Sequence, residues 1–177
     1  MKSTVKADFV QPIAVLTAIC LITSLLLAAV NFVTKPVIDR TELAIAEAAR
    51  SEVLPQADGF TKLDADLPAD SFVTEVYKAN NGAGYVFMVT CNGYGGKNTM
   101  NLICGIDAEG RIVETKTLSH KETAGLGSKV TEVDFKSQFV GQSSTDGVDT
   151  ISGATFSSNY YIQGIESALA AFNAIAG

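Results

Sequence analysis

The 177-residue sequence contains no tryptophan, one histidine, three cysteines and four prolines. Each scarcity removes a class of chemistry. With His120 as the sole imidazole and no G-x-S-x-G elbow, a Ser or Thr nucleophile would have to take His120 or a lysine as its base, so a hydrolase is not expected. His120 reads instead as a surface imidazole in a loop. Cys20, Cys91 and Cys104 lack CxxC or Cys/His spacing and are too few for a disulfide framework, so no protein-bound metal is expected. Cys91 and Cys104 flank an expected hairpin loop, where a disulfide outside the cytoplasm and two buried thiols are both open. Basic charge is also short, at 13 Lys and Arg against 19 Asp and Glu for a net of −6. Nucleic acid and anionic lipid surfaces repel such a chain. Internal repeats, low-complexity tracts and Pro-rich linkers are absent.

What the sequence does have is an uneven distribution of apolar residues. Ile13 to Val33, IAVLTAICLITSLLLAAVNFV, is uncharged and is interrupted only by Thr17, Thr23, Ser24 and Asn31. As a helix it spans roughly 30 Å, the thickness of a bilayer's hydrocarbon core. The reading is a membrane helix. A cleaved signal peptide is the alternative, with Lys2 and Lys6 as its basic flank, but the run exceeds the usual length of about 7–15 residues. Thr17, Ala18 and Ile19 before Cys20 do not make a lipidation site. Lys2 and Lys6 on one flank are matched by Lys35 and Arg40 on the other, so charge alone does not orient the helix. A short tail inside and the large domain outside is the simpler arrangement. Residues 1–34 hold two of the lysines and one of the acids, which leaves 11 basic and 18 acidic residues, net −7, for the remainder.

DRTELAIAEAARSEVLP, with Asp39 or Thr41 as a capping candidate and Pro55 as a stop, reads as a second helix that continues from the anchor as a stalk or packs on the sheet. Residues 56–71 read as a connecting loop. Segments 71–79, 84–91, 101–107 and 111–118 are β-branched and aromatic, separated by turn signals such as NNGAG and DAEG, and predict successive antiparallel strands. NGYGGKNTM interrupts the second and third; its glycines at 93, 95 and 96 let backbone approach another group closely. Tyr161, Ile165, Ala168, Leu169, Phe172 and Ile175 recur at helical spacing and predict an amphipathic helix over 157–175, packed on the sheet by one face. The fold class is α+β: a single N-terminal transmembrane helix, then one domain with a mainly antiparallel sheet flanked by helices. The expected division is 1–34 for the tail and anchor, 35–70 for stalk and loop, and 71–177 for the domain.

Two polar, glycine-containing loops carry the candidate chemistry. In DTISGATFSS the small residues 152–154 permit a tight turn, Ser157 or Ser158 is placed to cap the following helix, and that helix's first amides favour an anion beside Thr155. HKETAGLGSKV adds backbone freedom at Gly125 and Gly127, with Glu122 and Thr123 before it. Together with GYGG on a sheet-and-helix domain, these loops suit a flat heteroaromatic cofactor with a phosphate tail.

At these residues the chain resembles a known family. DTISGAT at 149–155 is similar to the D-x-x-[S/T]-G-A-T flavinylation signature of the FMN-binding domain found in the G subunit of the Rnf electron-transport complex and the C subunit of sodium-translocating NADH:quinone reductase. GYGG, GIDAEGRI and ETAGLG follow the family pattern in its order. The resemblance covers essentially the whole chain. It implies that Thr155 carries FMN through a phosphoester bond, and that Asp149, Ser152, Gly153 and Ala154 form the signature read by a magnesium-dependent flavin transferase that uses FAD as donor. It also implies that Glu122, Thr123, Gly125, Leu126 and Gly127 form the second cofactor loop. The family often has Pro where this chain has Ala124, which leaves the loop more flexible without ligand.

The short domain favours the Rnf-type G subunit over the C-type subunit. The implied role is a one-electron relay within a membrane complex that moves electrons between ferredoxin and NAD and couples them to ion transport, with the domain on the extracytoplasmic side. Its implied partners are the other subunits of that complex. Two other readings stay open from the residues themselves: a membrane-anchored module binding a phosphorylated ligand non-covalently, and a flavin reductase for a small substrate.

Overall fold

The uncharged N-terminal run forms helix, as its composition predicts, but the helix does not stop there. In the computed structural model, which describes residues 4–65, 67–68 and 71–176, α1 extends over Thr4–Val53 with Pro12 and Pro36 inside it. The chain divides into two compact units, Met1–Ala44 and Ile45–Gly177. No second helix starts at residue 41, because the Thr41 hydroxyl donates to the Val37 carbonyl at 2.8 Å as an intrahelical back-bond instead of capping. The side chain of Asp39, the other capping candidate, lies outside the described residues. Pro55 follows the helix end, as expected of a stop. The stretch Val10–Val53 is the one helix among the described residues long and apolar enough to cross a membrane, with a mean hydropathy of 2.7 in its apolar window. Ile13, Leu25, Leu27 and Phe32 are 63–83% exposed there, a surface that suits lipid better than water.

In the second unit five strands form one sheet in the order β1-β2-β3-β4-β5, each antiparallel to its sequence neighbour. β2 (Val73–Ala79), β3 (Gly84–Gly93), β4 (Gly96–Asp107) and β5 (Ile112–His120) are the four expected strands. Two differences stand out. β1 (Phe60–Leu63) occupies part of the expected loop 56–71 and pairs with Val76–Ala79. The β3–β4 ladder runs on until Gly93 faces Gly96, so only Tyr94 and Gly95 remain as the turn of the expected NGYGGKNTM loop.

Strand alternation gives the sheet two buried faces. On one, Val86 and Ile103 meet Ala49 and Val53 from the end of α1 and Leu54 just after it. A Cβ on Gly105 would stand 2.2 Å from the Val53 carbonyl oxygen, so this approach requires glycine. On the other face, Phe87, Val89, Cys91, Leu102 and Cys104 meet α3 (Thr155–Ala176) through Tyr161, Ile165, Ala168 and Phe172. Between β5 and α3 lie a 3₁₀ turn (Gly127–Thr131), the short α2 (Val133–Lys136) and a second 3₁₀ turn (Ser137–Phe139). They place Phe135 and Phe139 against Tyr161 at centroid distances of 5.4 and 5.5 Å.

Cys91 and Cys104 are free, buried thiols. Cys91 faces Met100 and Cys104 faces Phe87, which sets the two cysteines four positions apart in register, roughly 13 Å along the strands. A disulfide needs Cα atoms within about 7 Å, so that alternative is closed. Burial pushes the Cys91 thiol up to about 12 and raises the Cys104 thiol and the Tyr161 phenol as well.

Candidate functional site

Three segments distant in sequence meet at one end of the sheet. The first is the turn into α3. Gly153 adopts φ +81°, a left-handed conformation that disfavours any side chain, and the Ala154 amide donates to the Ile151 carbonyl at 2.9 Å to close the turn. The Ile151 amide donates to Ser158 Oγ at 3.1 Å, and Ser158 Oγ donates to the Ala154 carbonyl at 3.0 Å. Ser158 therefore fastens the turn from inside the first helical turn. The Ser157 hydroxyl donates to Glu122 Oε2. Neither serine is the cap that helix rules suggest, because α3 begins at Thr155, two residues before the expected start. Thr155 is exposed at the first helical position, beside amides that have no intrahelical partner and form the positive end of the helix.

The second segment follows β5. The Thr123 carbonyl accepts the amides of Leu126 and Ser128, both at 3.2 Å, and the Gly125 amide donates to Ser128 Oγ at 2.9 Å. ETAGLG thus folds as a closed turn. His120 is exposed at the end of β5, and its Nδ1 accepts the Glu122 amide at 3.2 Å. The third segment is the Tyr94 turn, whose amide donates to Glu122 Oε1 at 2.9 Å.

Between them lies a cleft of about 300 Å³ lined by Tyr94, Glu122, Thr123, Leu126, Gly127, Gly153, Ala154, Thr155, Phe156 and Ser157. Seven of these are expected cofactor residues, Glu122, Thr123, Leu126, Gly127, Gly153, Ala154 and Thr155, and Ser157 is the expected capping candidate. Asp149, Ser152 and Gly125 are not in the lining. Asp149 sits on a separate surface depression with Gln138, which holds its backbone: the Asp149 amide donates to Oε1 at 2.8 Å and its carbonyl accepts from Nε2 at 3.4 Å. Ser152 and Gly125 are exposed in the turns that border the cleft.

Sequence reasoning overlooked Phe156 and the side chain of Tyr94, which are 67% and 72% exposed. The available signal was an aromatic residue within each polar, glycine-containing segment. Leu126 adds a third exposed apolar group at 53%. The cleft therefore combines an anion-favouring helix start with an apolar and aromatic rim. Its volume is at the lower end of the range for ligand pockets, about 300–1,000 Å³.

Residues 93–170, which include the cleft segments and most of α3, match the FMN-binding domain family. Over 165 residues the chain is 27% identical to the G subunit of the proton-translocating ferredoxin:NAD(+) oxidoreductase complex of Clostridium ljungdahlii, covering 87% of this chain and 86% of that one. It is 29% identical over 177 residues to the G subunit of the ion-translocating oxidoreductase complex of Methanosarcina acetivorans, covering 92% and 93%. With the G subunit of the Na(+)-translocating ferredoxin:NAD(+) oxidoreductase complex of Acetobacterium woodii the identity is 28% over 165 residues, covering 85% and 78%. Residues 93–170 are thus similar to the FMN-binding domain family, within a chain that is similar over most of its length to G subunits of ion-translocating oxidoreductase complexes.

Proposed function

We propose that this protein is an electron-transport subunit of a membrane-bound, ion-translocating oxidoreductase complex of the Rnf type, and that it carries FMN esterified to Thr155. The observation that supports the attachment point is the exposure of Thr155 at the start of α3, inside the cleft formed by the matched residues. The residues present fit FMN. The unpaired first amides of α3 favour its phosphate, and Tyr94, Leu126 and Phe156 supply apolar surface for its ring system. When bound, FMN supplies reversible electron transfer, and the protein's part is to hold and orient it.

Loading is assigned to a flavin transferase that uses FAD and magnesium. Thr155 Oγ bonds to the phosphorus on the FMN side of FAD, the pyrophosphate bond breaks, AMP leaves and the hydroxyl proton is released. Because that enzyme supplies the catalysis, Thr155 needs no base of its own. The apolar helix anchors the subunit, the domain lies on the extracytoplasmic side, and the remaining subunits of the complex are its electron-transfer partners.

Intact mass of the full chain produced with a flavin transferase tests the reading. The expected increment is one FMN less one water, with flavin fluorescence surviving denaturing electrophoresis. Thr155→Val removes both. An unlabelled wild-type chain sinks covalent attachment, and retention of free FMN by that chain would favour a non-covalent binding module.

A further inference from the structure

The resemblance makes Glu122 a cofactor contact, but its carboxylate is already engaged. Glu122 is 8% exposed. The Tyr94 amide donates to Oε1 at 2.9 Å and the Ser157 hydroxyl donates to Oε2. No Lys, Arg or His forms an ion pair with it among the described residues. Two glycines make room for it. A Cβ on Gly93 would stand 2.0 Å from Oε1, and one on Gly127 would stand 2.3 Å from Oε2 and 2.7 Å from Ser157 Oγ. One side chain therefore joins a turn 28 residues before it and a helix start 35 residues after it. As a direct partner for phosphate it would be repulsive, since a carboxylate opposes the anion that the helix start attracts.

We propose that Glu122 is a positioning residue: through Tyr94 and Ser157 it locks the Tyr94 turn to the first turn of α3, and so fixes the width of the cleft before a ligand arrives. This deepens the flavin-site reading and rests on it for the identity of the ligand. A buried acceptor satisfied by two donors holds both in place, and removing it leaves an amide and a hydroxyl unpaired.

The test uses the full chain in detergent micelles without flavin, as wild type, Glu122→Ala, Glu122→Gln and Ser157→Ala. Two quantities are read: hydrogen exchange at the Tyr94 amide, and the affinity for added FMN by fluorescence. Glu122→Ala speeds Tyr94 exchange and weakens FMN binding by about tenfold or more. Glu122→Gln keeps an acceptor for the Tyr94 amide and returns both to within about threefold of wild type. Exchange at Leu102 and Ile103 in β4 stays unchanged, which separates a local loss from general loosening.

Unchanged Tyr94 exchange in Glu122→Ala, or weakened FMN binding that Glu122→Gln does not relieve, overturns the proposal. If Glu122→Ala does not fold, Ser157→Ala decides, since it breaks one arm of the same link and unaltered FMN affinity there overturns it. Failure of the wild-type chain to take free FMN leaves the flavin reading to the mass measurement with the transferase, and the exchange comparison alone then decides whether Glu122 holds the turn.

Discussion

The two faces of the sheet are built from different materials. The face toward the end of α1 buries Ala49, Val53, Leu54, Ala79, Val86 and Ile103, all aliphatic. The face toward α3 buries Phe87, Phe135, Phe139, Tyr161 and Phe172 together with both strand cysteines. The close approach also differs in kind. At Gly105 the intruding atom is a backbone carbonyl, whereas at Gly164 the nearest atoms are the side-chain ends of Val89, Leu102 and Cys91, at 3.2–3.4 Å. Backbone has nowhere to go, but side-chain ends shift by a few tenths of an ångström. The α1 face is therefore a rigid seat, while the α3 face is adaptable and holds the titratable groups of the core.

The same substitution on the two faces gives the largest contrast. Gly105→Ala forces Val53 off the sheet and costs about 3 kcal/mol in urea denaturation. Gly164→Ala gains about 1 kcal/mol of helix propensity against a mild crowding cost, so its net change stays within about 1 kcal/mol. Equal losses at both positions would break the distinction.

The next effect is pH sensitivity, which arises on the α3 face. The Cys91 thiol moves from 9.0 to about 12 by burial, so between these values the unfolded chain has lost a proton that the folded one keeps. Its contribution to stability is intact below pH 9 and is lost as pH rises through about 12, with a slope of about 1.4 kcal/mol per pH unit per such group. Cys104 and Tyr161 act in the same direction. Denaturation midpoints measured from pH 8 to 11 should fall, and Cys91→Ala should flatten the decline.

The smallest effect is at the rim of the α1 face. Lys116 and Glu52 form an ion pair with side chains 37% and 58% exposed. Solvent screening holds its worth below about 1 kcal/mol, so Lys116→Ala should move the denaturation midpoint little, and less still in high salt.

What was legible in the sequence follows the same division. The four longer strands announce themselves as β-branched and aromatic runs between turn signals, and α3 through apolar residues at helical spacing. β1 does not: it is a four-residue edge with only Phe60 and Leu63 half-buried, too short for a pattern. α1 reads as two segments because Asp39 and Thr41 resemble caps, yet the helix runs through both positions. The loops of the site were visible through their glycines and hydroxyls. The roles of those hydroxyls were not, since Ser157 is committed to a carboxylate 35 residues away and Ser158 to the turn before it. Long-range pairing of that kind leaves no mark on local sequence.

The sequential order of the sheet has a consequence for how the molecule assembles. Each strand pairs with the one made just before it, so the meander zips through short loop closures, which are fast. The cleft requires residues 94, 122 and 157 to converge after α3 has docked. The cleft thus depends on non-local pairings across 28 and 35 residues, which close only when the sheet and α3 are both in place.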